Sequence, residues 1–459
     1  MFFSFGDQID QVEAGGNCKP IALLGSLVLL IVFAITSMPL PAQSIGGGQI
    51  QGIVVDTNGS LVPGAAVTAT QQESGLTRAV VSGSDGGYNL PNLPVGPYRV
   101  DVTKAGFSPY RQSGIVIQVG DDLRIDLTLK VGGATQTVEV NAQASMVQTE
   151  DQSVSQVIDS KRVNDLPLNG RLPTQLILLT GASTTAPSED NVGTKNYPSE
   201  ITYSIAGSQG TQTEYLMDGA DNTDSFSNVN LPFPFPDALQ EFSVETSGLA
   251  AQYGFHPGAV VNAVTRAGTN SFHGDVFDFL RNNFFDATSY FSSADTLKRN
   301  QFGGVIGGPI VKNKLFFFGG YQGTIVHQQS NNTQYILPTQ AILNGDWTAF
   351  EGSKVLSGPF VNNTINPTAY NPSAVALVTK YLPLATASNG HLFFGPPNPT
   401  TENQVIGRVD WNKSEKQTLF GRYYLTHYDQ PGFFNGDLLN TTNPELNDQE
   451  QSLDRKSVV

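Results

Sequence analysis

Cysteine is almost missing from this chain, with Cys18 alone in 459 residues. A disulfide framework and a thiolate metal site are both excluded, since each needs several cysteines. Histidine is sparse too. His256, His273, His327, His391 and His427 are scattered, with no H-E-x-x-H or comparable spacing, and read as isolated surface or loop residues rather than ligands. No G-x-S-x-G elbow and no G-K-[ST] phosphate loop occurs. Gly303-Gly304 and Gly307-Gly308 do not make a dinucleotide site, because Pro309 would break the helix such a site requires; strand glycines beside bulky aromatics explain them. No catalytic residue, metal ligand or cofactor is therefore expected. Charge is also scarce, 14% of residues against an average near 25%. The balance is acidic, 40 acids to 25 bases for a net −15, which argues against nucleic acid as a partner.

Long apolar runs are missing as well, with one exception. Ile21 to Ile35 (IALLGSLVLLIVFAI) is shorter than the roughly 20 residues that span a bilayer and suits a signal-peptide core. Leu40-Pro41-Ala42 supplies a small-residue cleavage site, so residues 1–42 are expected to be a signal peptide. Asp7, Asp10 and Glu13 against Lys19 alone do not suit its positive start; an over-extended start explains them, with an uncleaved anchor as the alternative.

What is plentiful is glycine, at 47, and phenylalanine, at 27, which point to strands, turns and aromatic-rich surfaces. From Gln49 to Val131 short strands alternate with turn clusters such as Asp56-Thr57-Asn58-Gly59 and Asp85-Gly86-Gly87. Ile53/Val55 and Val67/Ala69 keep period two, and Arg99-Val100-Asp101-Val102 alternates polar with apolar. Residues 46–132 are therefore expected to form a small antiparallel sandwich. Gly52, Asp56, Gly59, Pro63-Gly64-Ala65 and Val67, followed by Gly87-Tyr88, Leu90-Pro91, Gly96, Tyr98 and Val100, resemble the carboxypeptidase regulatory-like domain. That resemblance implies a transthyretin-like sandwich without catalytic residues, so a zinc carboxypeptidase is not implied.

Ala238 to Asp278 organises the rest. A strand (Glu241–Glu245) crosses the bend Tyr253–Gly258 into a second strand (Ala259–Thr265), and the turn Arg266–Asn270 leads into a third. Further on, Asn300–Ile310 and Leu315–Gly323 flank a short turn, as do Gln404–Trp411 and Leu419–His427. In the second pair Val405, Gly407, Val409 and Trp411 share one face and Gln404, Arg408 and Asp410 the other, with Ile406 out of pattern. Phe316-Phe317-Phe318 reads as lipid-facing. Apolar-out, polar-in strands of about ten residues with tight turns at one end are the mark of outer-membrane barrels. Thr324–Glu402, too long for an ordinary connection, supplies the matching long loop.

The seam at Ala238–Asp278 resembles the point where the plug of a TonB-dependent outer-membrane transporter enters its first barrel strand. Leu166-Pro167-Leu168-Asn169-Gly170-Arg171 resembles the LPLNGR signature of the Oar-like branch, and Tyr215 to Asp224, with Asp218, Gly219, Asp221 and Asn222, resembles a further plug segment. The resemblance implies a mainly β chain. Its parts would be a signal peptide (1–42), a periplasmic sandwich (46–132), a linker (133–151), an α+β plug (152–266) and the first antiparallel strands of an incomplete barrel (267–459). It implies the outer membrane as location, lipid around the barrel, an inner-membrane TonB-type energy-coupling protein as partner, and active uptake of an unidentified solute, carbohydrate and peptide both being open. Thr137-Val138-Glu139-Val140 resembles a TonB box; the last strand of the sandwich and the first of the plug are equally open readings. Asp218, Asp221 and Asp224 lack EF-hand spacing. Lys161, Arg162 and Arg171 around Asp165 read as ion pairs within the plug, and Phe233 and Phe235 as an extended, exposed loop that touches cargo or packs under the barrel wall.

Plugged transporters have about 22 strands of roughly 9–11 residues, over ~200 residues of strand alone. Thr269 to Val459 is too short for that, and Asn443–Val459 is polar without a terminal aromatic strand, so a truncated barrel is expected. The rival reading is a secreted or surface carbohydrate-binding β-protein without transport activity.

Overall fold

The computed structural model describes residues 46–132, 138–141, 153–186, 201–249, 253, 256–287, 290, 296–328, 333–351, 354–394, 398–415, 417–432 and 445–458. The expected signal peptide and Thr137 lie outside these residues. The chain is mainly β and builds three units in sequence order.

The first is a two-sheet sandwich. Its strands are β1 (Gly47–Asp56), β2 (Ala66–Gln71), β3 (Thr77–Val81), β4 (Gly87–Pro94), β5 (Gly96–Thr103), β6 (Tyr110–Ile117), β7 (Asp122–Arg124), β8 (Leu127–Leu129) and β9 (Val138–Asn141). One sheet runs β4-β1-β7, with β8 also on β1; the other runs β3-β2-β5-β6-β9. Alternation drives the packing: Val67, Ala69, Val100 and Val102 point into the core while Arg99 and Asp101 pair outside it at 2.8 Å. In β1 the face differs from expectation. Ile50 and Val54 are buried, and Ile53 and Val55 only partly so. A shift of one position moves every side chain to the other face, so period two alone cannot say which face is inner.

The second unit carries β10 (Val154–Asp159), α1 (Ser160–Asp165), β11 (Ser183–Thr185), β12 (Tyr203–Ile205), β13 (Thr213–Met217), β14 (Ala220–Asp221), β15 (Leu239–Ser247) and β16 (Ala259–Thr265). Its main sheet runs β10-β15-β16-β13-β14. Every residue of β16 is buried, as for a central strand covered on both faces. The Asp159 side chain caps α1 by accepting from the Arg162 N–H at 2.9 Å.

The third unit is a curved antiparallel sheet in the order β17-β18-β19-β22-β23-β24. Its strands are β17 (His273–Asn282), β18 (Lys298–Val311), β19 (Leu315–His327), β22 (Thr400–Ser414), β23 (Gln417–Gln430) and β24 (Leu446–Val458). Tight turns close one end. At the other, the long connection carries the ribbon β20 (Thr333–Ile336) and β21 (His391–Phe394), and a helix, Pro372–Tyr381. Val405, Val409, Trp411 and Tyr423 are exposed on the convex face, whereas Gln404, Arg422 and Thr426 are buried on the concave one. The polar tail forms a full strand, paired with β23 over Leu446–Val458, because ladder bonds do not require apolar side chains. Of the three consecutive phenylalanines only Phe317 faces outward; Phe316 and Phe318 are buried on the concave side.

The reason is that the concave face is filled. Val305, Phe318, Ile406 and Tyr424 of the wall belong to the same hydrophobic core as Ile158, Tyr215, Phe235 and Phe242 of the middle unit. Ile406 breaks the polar-in pattern because an apolar neighbour, not water, meets it. Phe233 and Phe235 are correspondingly 2% and 1% exposed, tucked under the wall rather than displayed in a loop.

Candidate functional site

Two sequence motifs of the middle unit meet the wall, and both do so through polar groups. The first follows β13. Asp218 and Gly219 occupy left-handed backbone conformations, with φ of 54° and 77°, which turns the chain sharply and aims the Asp218 carboxylate at the wall. There Oδ1 accepts from the Thr265 N–H at 2.9 Å and from Arg408 Nη1 at 3.2 Å. Oδ2 accepts from the Thr265 hydroxyl at 2.8 Å and from Arg422 Nη1. Burial opposes ionisation of this carboxyl, but the two guanidiniums and Thr265 outweigh it and hold its pKa below the usual carboxylate value. Arg408 is fixed in turn by a fork onto Asp410 at 2.9 and 3.0 Å and by the face of Phe420, 4.6 Å away.

The second is Leu166 to Arg171, just after α1. Leu166 and Leu168 pack against the shared core, and Pro167 is exposed. Gly170, with φ of 73°, turns the backbone so that its carbonyl accepts from Gln301 Nε2 at 3.0 Å. Asn169 Oδ1 accepts from Arg281 at 3.3 Å and Arg299 at 3.1 Å, two neighbouring positions of the wall. Arg171 pairs with Asp237, donates to Gln322 Oε1 at 3.2 Å, and lies over the rings of Phe277 and Phe279 at 4.7 and 4.1 Å. Arg171 is thus an ion pair of the middle unit, as expected, although with Asp237 and not Asp165. Arg162 pairs only loosely with Asp159, at 3.8 Å and exposed.

Asp221 and Asn222 do not reach the wall. Asp221 Oδ1 accepts from the Thr223 N–H at 2.9 Å, and the buried Asn222 donates from its N–H to the Tyr215 carbonyl at 2.7 Å and from Nδ2 to that of Leu231 at 3.0 Å. They shape the loop that carries Asp218. Asp224 accepts from the Ser227 and Phe226 N–H groups, so the three aspartates point to separate partners. No group of three or more His, Cys, Asp and Glu suited to a metal occurs among the described residues.

Arg408 and Arg422 were not singled out from sequence as a pair. Their signal is positional, two cations at inward-facing sites of adjacent strands, and it becomes readable only once the strand register is known. Val138–Asn141 sits at the edge of the sandwich's second sheet, parallel to β6, with Tyr110 opposite Val138 and Arg111 opposite Glu139.

Residues 264–458 match the model of the outer membrane beta barrel domain, and residues 49–130 that of the carboxypeptidase regulatory-like domain. The chain is 27% identical over 304 residues to the TonB-dependent transporter Oar of Myxococcus xanthus, an alignment covering 62% of this chain and 27% of that protein. It therefore spans about a quarter of the length of this curated relative. Among solved structures, the outer membrane transporter YddB of Escherichia coli is similar with a TM-score of 0.38 and 11% identity, over 60% of this chain and 33% of that one. A mutant of the ferric enterobactin receptor PfeA of Pseudomonas aeruginosa gives 0.39 and 13%, over 66% and 38%.

Proposed function

We propose that this chain, a homologue of the TonB-dependent transporter Oar with a carboxypeptidase regulatory-like domain and outer-membrane barrel strands, forms the energy-coupled end of a solute-uptake receptor. In this reading the middle unit is the plug, residues 152–266, and the curved sheet from residue 267 is barrel wall. The solute binds from the side of the long loops, and an inner-membrane partner displaces the plug by pulling on the segment that precedes it.

The observation that carries the reading is the character of the plug–wall contact. Asp218, Asn169, Gly170 and Arg171 hold the wall by hydrogen bonds and ion pairs around a modest apolar patch. Groups of this kind can exchange one partner for another, or for water, when the contact opens, while the shared apolar core resists its opening. The handle is Thr137-Val138-Glu139-Val140, where β-branched residues favour the extended state that strand addition requires. A secreted carbohydrate-binding protein is not favoured, since it would have no use for the outward stripe of Val405, Val409, Trp411 and Tyr423.

The test uses the full-length receptor in its own cells. Ala238, wholly buried in the shared core, is replaced by cysteine, and its reaction with an impermeant maleimide is followed. Labelling should be faster in cells that contain the energy-coupling partner than in cells without it. Equal rates would sink the displacement reading.

A further inference from the structure

The sandwich is bonded to both of the other units, at the end of the wall closed by tight turns. Toward the wall, the buried Arg78 donates from Nη1 to the Glu415 carbonyl at 2.6 Å and from Nη2 to the Thr418 hydroxyl at 3.1 Å. The Asn270 N–H donates to the Glu73 carbonyl at 2.9 Å, and Gly75 abuts Asn313 so closely that a Cβ there would lie 2.5 Å from its Oδ1. Toward the plug, Glu241 of β15, only 5% exposed, accepts from the Val119 N–H at 2.9 Å. Gly46 lies against the Asp218 backbone, where a Cβ would approach the carbonyl to 3.0 Å. Leu76 and Val119 are buried although neither belongs to the sandwich's own core, as expected of residues covered by a neighbouring unit. A cavity of about 450 Å³ is left where the three units meet, with Glu73, Gln240, Arg266, Arg408 and Lys456 in its lining.

We propose that the sandwich is a clamp tying the plug to the periplasmic turns of the barrel, with the Glu241–Val119 contact as its release point. The proposal rests on the plug-displacement reading, since a body bonded to both plug and wall must let go of one before the plug moves. The wall contacts involve main-chain carbonyls and a hydroxyl, which do not titrate. The plug contact is a buried carboxylate faced by other carboxylates. Asp121 approaches from the sandwich loop, Asp159 stands directly opposite in the β10–β15 ladder, and Glu245 lies further along β15 beside Gly120. Burial pushes the Glu241 carboxyl up to about 8; the Val119 N–H opposes this, and Asp121 and Asp159 reinforce it.

In the open clamp Glu241 meets water and returns to the ordinary range near ~4.3. Closing the clamp therefore takes up a proton at intermediate pH. The closed state is tightest below the free carboxylate range and loosens as pH rises toward about 8, where Glu241 ionises even when covered.

The experiment uses the full-length receptor in outer-membrane vesicles, in a Cys18→Ser background. Cysteine is placed at Val119, facing the plug, or separately at Leu76, facing the junction, and its alkylation rate reports how often the clamp opens. Each rate is divided by the rate of the same protein carrying Glu241→Gln at the same pH, which cancels thiol chemistry and leaves an uncharged acceptor for the Val119 N–H. The ratio should be near one at about pH 3.5 and rise up to about tenfold per pH unit above the free carboxylate range until Glu241 ionises in place. Both probes should follow one curve. Alkylation at free-thiol rates in every protein would show that the sandwich is not docked, and a ratio flat with pH would show that Glu241 is not the release point; either result overturns the clamp. Neither depends on the energy-coupling partner, whose role is tested separately by labelling at Ala238.

Discussion

Arg408 and Arg422 stand directly opposite one another across the β22–β23 ladder, and a single plug carboxylate, Asp218, takes a guanidinium from each. Like charges at directly opposed positions destabilise a sheet. Here the repulsion becomes a receptor for an anion, so the wall is poised to hold a plug that brings one. Asp410 shares the load on Arg408, and Asp454 faces Arg422 from β24.

Replacing Asp218 with asparagine should loosen the plug sharply. It keeps the shape but leaves two inward cations short of a counter-charge, and breaking a buried pair from one side costs about 3–5 kcal/mol. Because the pKa of Asp218 is lowered in the fold, its contribution is present above the ordinary carboxylate range and is lost as pH falls through the lowered value. Protease digestion of the plug in the full-length receptor reads this directly. Unchanged digestion in Asp218→Asn at neutral pH would mean that the arginines are satisfied without it.

Gly320 and Phe235 should behave as a coupled pair. A Cβ on Gly320 would come within 2.9 Å of the Phe235 ring, so the wall glycine makes room for the plug aromatic. Gly320→Val is expected to cost about 1–3 kcal/mol by overpacking. Phe235→Leu opens the same space, and the double variant should recover part of the loss, with a coupling near or above ~1 kcal/mol. Strictly additive thermal shifts would show that the two residues do not share the space.

Residues 46–132 alone should fold as a soluble β-domain without metal, since their core is self-contained. Extending the fragment to residue 145 adds β9 to the β6 edge and should raise the melting temperature. A random-coil circular dichroism spectrum for the shorter fragment would refute the boundary.

The handle prediction separates backbone from side chain. Val138→Pro removes a ladder donor and should abolish crosslinking to the energy-coupling partner, while Val138→Ala should change it little. Both should insert normally. Equal crosslinking in wild type and Val138→Pro would place the handle elsewhere.

Much of the wall was readable from sequence, because lipid on one side and polar groups on the other impose period two on Val405 to Trp411. The departures share a cause. Ile406, Phe316 and Phe318 face another part of the chain, and Phe233 and Phe235 lie beneath it, so their burial depends on a partner the local pattern does not contain. The motif Leu166–Arg171 was recognisable as a string, but its partners Arg281, Arg299, Gln301 and Gln322 come from more than a hundred residues later. The strand Leu446–Val458 was hidden for the opposite reason, its polarity, since a ladder on β23 suffices to hold it. Val138–Asn141 was legible as extended, though nothing local says whether β6 or another protein supplies its neighbour.

The core shared between plug and wall also bears on the order in which the protein is made. Ile158, Tyr215, Phe235 and Phe242 emerge well before Val305, Phe318, Ile406 and Tyr424, the residues that complete their apolar surroundings. Until those strands have curled round it, the plug is a domain with one greasy side open to the periplasm. That side is covered only when the wall assembles, so completing the plug's core and assembling the wall become one event.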